Sequence, residues 1–309
     1  MRSRRSASRF RWRAAPSRSM SRSPPASCST RCCVGADALT SLAWTFLGIG
    51  SGTLLNAVIW RIPSHERPDD ISEAFDNEWF VREAAKCEKC GALLSSWQST
   101  GLLAVFVRKP TCPQCGRLLA VRRLLVELGS GILWLLSLWF FGPTLYASTV
   151  AIFASLLLGI AISDFRSWTI PHEFTWFGIV VGIVLSLFRG FPFISTIIGV
   201  SVGPAIFFVV GWLVAKYKKI PIAEVLGLGD YWLIAMIGAF IGWKMVPVAI
   251  ILSAVVGLVI ALPGAVRAAL LRTESPKIPF GVFLALGGAV TLLVGDRLVS
   301  WYGHWALGR

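Results

Sequence analysis

The stretches LLLGIAISDFRSWTIPHE at 156–173 and EVLGLGDYWLIAMIGAFIGW at 224–243 each place one aspartate, Asp164 or Asp230, where an apolar segment meets a short polar turn. An ionisable group at the edge of a lipid-spanning segment is costly to hold there, so it is usually retained for chemistry or transport rather than for packing. The two stretches predict an all-α polytopic membrane protein in which a pair of carboxyl groups carries the function.

The composition of the whole chain also indicates a lipid bilayer. Hydrophobic residues make up 55% of the 309 residues, charged residues make up 15%, and 14 residues are Trp. These values exclude an ordinary soluble domain and a disordered chain. Apolar runs predict about eight transmembrane helices, at residues 40–60, 124–142, 146–163, 174–188, 194–215, 225–242, 245–262 and 279–295.

The loops between these spans predict an orientation, because Lys and Arg are enriched on the cytoplasmic side of a membrane. In an eight-span chain most loop cations fall on one side: Arg61, Arg122, Arg123, Arg166, Lys216, Lys218, Lys219, Arg267, Arg272 and Lys277. The other side holds Arg189, Lys244 and Arg297. We therefore expect the richer side to be the cytoplasm, with Asp164 and Asp230 at its membrane surface, where the two carboxyl groups can meet.

Residues 1–39 do not fit this charge pattern, since the first forty positions hold nine Arg and a single acid, Asp37. An Arg-rich and Ser-rich stretch with few acids resembles a transit peptide, but no apolar core or cleavage site of a secretory signal is present. We interpret it as a disordered tail or as sequence upstream of a start at or after Met20. Its cysteines, Cys28, Cys32 and Cys33, receive no role.

A polar insert is predicted at residues 62–122, after a first transmembrane helix at 40–61. It contains CEKC, with Cys87 and Cys90, and CPQC, with Cys112 and Cys115, and a Gly follows each motif. Two such knuckles can close a tetrahedral shell around Zn²⁺. A small insert with little apolar core needs a stabilising cross-link. A reducing cytoplasm disfavours a disulfide, which leaves a metal ion for this role. The pattern predicts a structural zinc site, with a redox pair or a metal-free fold as alternatives.

The chemistry of the two aspartates follows from their pairing. Two carboxyl groups that share a site do not easily both ionise, so one keeps a proton while the other takes one from an attacking water. Such a pair titrates as a unit, and neither Asp164 nor Asp230 is assigned as the base. Gly227 and Gly229 are expected to allow close backbone approach beside Asp230, so that an extended substrate reaches the acid.

Five motifs together resemble one known family, the bacterial type IV prepilin peptidases of type IV pili and type II secretion. They are GSGTLLNAVIWRIP at 50–63, the paired cysteine knuckles followed by RRLLVELGSG at 122–131, SDFRSWTIP at 163–171, the GxGD-containing GLGDYWLIAMIGAFIGW at 227–243, and IPFGVFLALGG at 278–288. Their order and spacing are those of the family, and the resemblance covers about residues 44–295.

The resemblance implies an aspartic endopeptidase of the inner membrane that removes the basic leader from prepilin-like or pseudopilin precursors on the cytoplasmic face, commonly after a Gly. It maps the catalytic aspartates onto Asp164 and Asp230, within a peptidase domain at 123–309. Many members also methylate the new N-terminus with S-adenosylmethionine, an activity associated with the cysteine-bearing domain. The implied partners are these precursors and the bilayer, not nucleic acid.

Two positions qualify the resemblance. The stretch between the knuckles, at 91–111, departs from the family pattern, which leaves a cleavage-only peptidase as an alternative. Glu127 matches a family glutamate and is expected to contact the insert or the substrate, or else to pair locally with Arg123.

Two other classes of protein also place carboxyl groups in spans. A transporter would carry inverted repeats and broken helices near the midplane of the bilayer. A presenilin-like protease shares the GxGD motif, but it pairs this motif with a Tyr-Asp and a Pro-Ala-Leu triplet that this chain lacks.

Overall fold

The structure is a computed structural model. It describes residues 30–62, 86–87, 89–94, 101–102, 105, 111–188, 193–271 and 279–307. The basic tail before residue 30 and the acidic stretch between Glu66 and Glu83 lie outside these ranges.

Helices form almost all of the described chain. In chain order they are α1 (Thr30–Ile59), α2 (Ala120–Phe141), α3 (Leu145–Ser167), α4 (His172–Phe188), α5 (Phe193–Lys218), α6 (Ile222–Val225), α7 (Leu228–Ile241), α8 (Val246–Leu271) and α9 (Phe280–Leu307). Among the described residues, β pairing is limited to two isolated bridges in the insert, Lys86 with Leu93 and Thr111 with Leu118. The all-α prediction is therefore confirmed.

Each of the eight predicted spans overlaps a different helix of the structure, which confirms a multi-pass membrane protein. Five stretches are long and apolar enough to cross a bilayer: Ala38–Ile59, Val121–Phe141, Leu145–Ser167, Phe193–Lys218 and Val246–Gly264. Three further apolar helices are shorter: His172–Phe188, Leu228–Ile241 and Phe280–Gly295. The span predicted at 225–242 begins later in the structure, because Gly227 adopts an extended backbone (φ −69°, ψ 145°) that separates α6 from α7.

The short helix α7 lies at the centre of the membrane domain. Every residue from Leu233 to Ile241 is buried, and α4, α5, α8 and α9 all pack against it. Glycines on two neighbours permit the close approach: a Cβ on Gly178 of α4 would overlap Met236, and one on Gly203 of α5 would lie 2.8 Å from Ile234. Small residues are what allow helix backbones to approach closely in a membrane.

A series of hydroxyl groups, of which those of Ser130 and Ser155 are buried, joins α1, α2 and α3. Ser130 Oγ of α2 lies 2.7 Å from Ser51 Oγ of α1 and 3.0 Å from Ser155 Oγ of α3. The indole N–H of Trp134 also donates to Ser155 Oγ at 3.1 Å. Hydrogen bonds between helices add to packing where water is absent. These hydroxyl contacts therefore fix α1 and α2 against α3, the helix that carries Asp164.

Candidate active site and metal centre

Asp164 lies in the last turn of α3, and the turn that follows is tied down by local hydrogen bonds. Trp168 ends the helix with a left-handed backbone (φ 57°), and its N–H donates to the Asp164 carbonyl oxygen at 2.9 Å. Ser163 Oγ reaches across the turn and donates to the Thr169 carbonyl at 3.0 Å. The Asp164 side chain is 5% exposed, so its carboxyl group depends on protein partners.

Asp230 lies in the first turn of α7 and is half-buried. Its backbone N–H donates to the Gly227 carbonyl at 3.1 Å, which closes the turn between α6 and α7. The two glycines of the GxGD motif have different surroundings. A Cβ on Gly227 would meet only Asp230 Oδ2, at 3.6 Å, whereas a Cβ on Gly229 would lie 2.8 Å from Ile170 Cβ. Gly227 therefore borders open space, and Gly229 is used for packing.

The structure brings the two aspartates to one place, where three chain segments converge on Ile170. This side chain contacts Gly229 at the start of α7, and a Cβ on Gly281 at the start of α9 would lie 2.9 Å from Ile170 Cδ1. The N–H of Val282, also in the first turn of α9, donates to Asp164 Oδ2 at 3.1 Å. Asp164 is near enough for its charge to act on Asp230. Two carboxyl groups that share a site in this way can hold and accept a proton in turn.

The four cysteines of the insert form one cluster. Their sulfur atoms lie within 4.8 Å of one another, with Cys87 to Cys115 at 3.7 Å and Cys90 to Cys112 at 3.6 Å. These separations are far longer than a disulfide bond of about 2.05 Å. They match the roughly 3.8 Å expected between sulfurs on a tetrahedron with about 2.3 Å zinc–sulfur bonds. The cluster can hold a metal ion.

Both knuckles use the same backbone design. In the first, the N–H of Cys87 donates to the Ala92 carbonyl at 2.9 Å; in the second, the N–H of Cys112 donates to the Arg117 carbonyl at 2.9 Å. Each turn closes on a glycine with a left-handed backbone, Gly91 (φ 70°) and Gly116 (φ 67°). A side chain there would strain the turn although it would meet no neighbouring atom within 4 Å.

Electrostatics within the cluster favour a bound cation. The backbone N–H of Cys115 is the main cause that lowers the pKa of the Cys112 thiol to about 6. The backbone N–H of Ala92 lowers the pKa of the Cys90 thiol, but desolvation and the three other thiols raise it to about 12. The Cys90 thiol therefore does not ionise at neutral pH unless a metal ion supplies the opposing charge.

Glu127 docks the insert onto the membrane domain. It is fully buried in α2, and its carboxylate accepts hydrogen bonds from the backbone N–H groups of Gly101, at 2.8 Å, and Leu102, at 2.6 Å. The side-chain amide of Asn56 in α1 donates to the same carboxylate at 3.1 Å. A Cβ on Gly101 would overlap the backbone N of Leu124. The predicted contact of Glu127 with the insert is therefore seen in the structure.

An aromatic stack lies next to this docking point and continues toward Asp164. Two guanidinium groups lie over the ring of Trp60, at the end of α1. The guanidinium carbon of Arg166 is 4.4 Å from the ring centroid, and that of Arg123 is 5.1 Å from it. Arg166 also donates to the carbonyl oxygens of Ile59 and Ile62. Because Arg166 follows Asp164 by two residues, the exit of α1 toward the insert is fixed to the segment that carries the first aspartate.

Sequence reasoning did not identify Arg166, Ile170 or Gly281 as parts of this region. The motif IPFG at 278–281 was a usable signal, because a Pro and a Gly at a helix start indicate a constrained backbone. The contact of Gly281 with Asp164 nevertheless joins positions far apart in the chain.

Comparisons with known proteins match most of the chain. The model of the type IV leader peptidase family matches residues 151–262, and that of the bacterial peptidase A24 N-terminal domain matches residues 46–141. Among curated proteins, similar chains named prepilin leader peptidase/N-methyltransferase occur in Stutzerimonas stutzeri (30% identity, 84% of this chain, 92% of the relative) and Pseudomonas putida (28%, 83% and 91%). The chain of that name from Pseudomonas aeruginosa is 28% identical over 86% of this chain and 94% of its own length. No solved structure is significantly similar.

Replacement of Glu127 by Ala is expected to release the insert while the membrane helices stay folded. It leaves the N–H groups of Gly101 and Leu102 without their acceptor, a loss of about 2–4 kcal/mol in docking free energy. Limited proteolysis with mass mapping is expected to show cleavage within residues 62–122 at least tenfold faster. The control is Ser137→Ala on the same helix, whose hydroxyl bonds only the Trp134 carbonyl. Equal proteolysis rates in the two variants would contradict the docking role.

Proposed function

Because this chain belongs to the type IV leader peptidase family, we propose that it is a membrane-embedded aspartic endopeptidase that removes the basic leader from prepilin-like or pseudopilin precursors. It also methylates the N-terminus that cleavage exposes, as the name of its relatives states for them. The observation that carries the peptidase assignment is that the turn after Asp164, the start of α7 with Asp230 and the start of α9 all meet at Ile170.

The two aspartates are proposed to hydrolyse the peptide bond as a pair. One carboxyl group is ionised and takes a proton from a water whose oxygen attacks the scissile carbonyl carbon. The other, protonated, gives its proton to the carbonyl oxygen, so the tetrahedral intermediate forms without net charge change. When the carbon–nitrogen bond breaks, the leaving amine takes the proton that the first aspartate accepted from water, and a hydroxyl proton of the intermediate returns to the second aspartate. The products are the leader carboxylate and a new N-terminus. Gly227 borders open space beside Asp230, which suits the approach of an extended substrate.

The four cysteines are proposed to hold a structural Zn²⁺. A site with four protein ligands is closed, so the ion stabilises the insert and does not activate water. We propose that the chain has two functional regions. They are the cysteine-bearing insert, residues 62–122, and the peptidase domain, residues 123–309. The methyl donor of the second reaction is proposed to be S-adenosylmethionine, and no residue of the chain is assigned to it.

The inner membrane is the proposed location, with the insert and the dyad on the cytoplasmic side. Support comes from the excess of Lys and Arg in the loops on that side. The substrate then keeps its basic leader in the cytoplasm and its apolar segment in the bilayer, with the scissile bond at the surface between them.

Replacement of either aspartate by Asn is expected to abolish cleavage, because a pair fails when one member cannot exchange a proton. Asp164→Asn and Asp230→Asn each lower the rate at least about 100-fold while the protein still inserts into membranes. The measurement is the N-terminal mass of a prepilin-like protein of the same genome after co-expression. Glu173→Gln, an acid at the start of α4 outside the dyad, is expected to keep cleavage. More than a few per cent activity in either Asn variant contradicts the site.

Purified protein is expected to contain about one Zn²⁺ per chain. Cys90→Ser should lose the metal and loosen the insert, since metal binding supplies much of the folding free energy of a small domain. Cys33→Ser, which changes a cysteine of neither CxxC motif, serves as the matched control and should keep the metal. Elemental analysis of protein purified without chelator is the measurement, and a zinc-free chain would refute the proposal.

Single cysteines introduced at exposed positions are expected to report the proposed orientation. Tyr217→Cys, 89% exposed in the last turn of α5, should react with a membrane-impermeant maleimide only after cells are opened. Lys244→Cys, between α7 and α8, should react in cells whose outer membrane alone is permeabilised. Labelling of the native cysteines is subtracted with the parent chain. The reverse pattern would overturn the orientation and the proposed route of the leader.

A further inference from the structure

The Asp164 carboxylate accepts a hydrogen bond from another helix. Its Oδ2 accepts from the backbone N–H of Val282, at 3.1 Å, and the backbone of Gly281 also interacts with this carboxyl group. The first four N–H groups of a helix have no acceptor within the helix. The start of α9 therefore supplies donors that need a partner, and Asp164, 5% exposed, is a carboxyl group that needs donors.

Gly281 is the residue that makes this contact possible. A Cβ at this position would lie 2.7 Å from Asp164 Oδ2, 3.0 Å from Asp164 Cγ and 2.9 Å from Ile170 Cδ1. Contacts this short are not tolerated between ordinary side chains. Any other residue would push α9 away from Asp164, or would turn the carboxylate out of its position.

We infer that Gly281 and the backbone N–H of Val282 form a positioning element that fixes the Asp164 carboxylate for peptide cleavage. The inference rests on the proposed function and assigns a role within the same site. With Oδ2 held by α9, Oδ1 is the oxygen left to share a proton with Asp230 or with the attacking water. The element acts through Asp164 and does not touch the substrate.

The packing around Ile170 also relates the segments that carry the two acids. Ile170 lies between Gly229, next to Asp230, and Gly281, next to Asp164. The starts of α7 and α9 are therefore spaced by one buried side chain. Because a displacement of about 1 Å in a catalytic group lowers a rate by about 100-fold, loss of this spacing acts on the chemical step more than on binding.

The test measures kcat and KM separately in detergent-solubilised full-length enzyme, with a purified prepilin-like protein of the same genome as substrate. Gly281→Ala introduces the missing Cβ. Gly50→Ala in α1 is the matched control, because a Cβ there meets no atom within 4 Å. Val282→Pro removes the N–H, and a first-turn proline breaks no bond within the helix. Val282→Ala is its reference, since it changes the side chain and keeps the N–H.

The expected result is a fall in kcat of about 100-fold for Gly281→Ala, with KM within about twofold and with thermal melting close to that of Gly50→Ala. The ratio of kcat between Val282→Ala and Val282→Pro is expected to be of the same size, and this ratio decides the matter if Gly281→Ala is not recovered in folded form. Normal kcat in Gly281→Ala, a ratio near one, or a change confined to KM would overturn the inference. Asp164→Asn, assayed in parallel, distinguishes failure of the proposed function from failure of the positioning role. If Asp164→Asn is active, the proposed function itself is wrong. If Asp164→Asn is inactive while the Gly281→Ala and Val282→Pro variants are normal, only the positioning role is wrong.

Discussion

The membrane domain depends on the enclosure of α7, a helix that is too short to cross the bilayer alone. Its 14 residues span about 21 Å, against a hydrocarbon thickness of about 30 Å. Four longer helices surround it, and glycines such as Gly178 and Gly203 let their backbones come close. Because α7 is short and enclosed, its first turn, with Asp230, faces the turn after α3 and the start of α9 instead of lipid. The meeting of the two acids is a consequence of this enclosure.

Polar groups in this fold are placed where a neighbouring backbone can satisfy them. Unpaired polar groups are costly away from water, and apolar burial alone does not drive helices together in lipid. Asp164 takes an N–H of α9, Glu127 takes two N–H groups of the insert, and Arg166 donates to the end of α1. Each of these side chains joins two segments that are distant in sequence. The fold of the catalytic region is therefore specified by a few charged side chains bonded to backbone, in addition to packing.

Sequence patterns predicted the elements of this structure better than the contacts between them. Apolar runs located eight of the described helices, and the CxxC spacing, with the glycines that follow, predicted the four-sulfur cluster, because both are local signals. Charge in the loops predicted that Asp164 and Asp230 lie at the same membrane surface, and their action as a pair stays a prediction. The packing of Gly229 on Ile170 was not predicted. The sequence does not show whether a glycine leaves open space for a substrate or allows a neighbouring side chain to pack closely. Nor did spacing reveal Gly281 beside Asp164, because that contact depends on how far α9 enters the bundle.

The docking of the insert through Glu127 limits where the insert can be replaced by that of a related protein. By sequence the insert ends near residue 122, yet the carboxylate that receives Gly101 and Leu102 stands one turn further, inside α2. A recombination that joins a foreign insert at residues 62 and 122 would set its docking loop against a carboxylate selected for another partner. The insert should therefore be exchanged together with the first two turns of α2. A chimaera with its junction beyond Glu127 takes the docking loop and the carboxylate that binds it from the same parent.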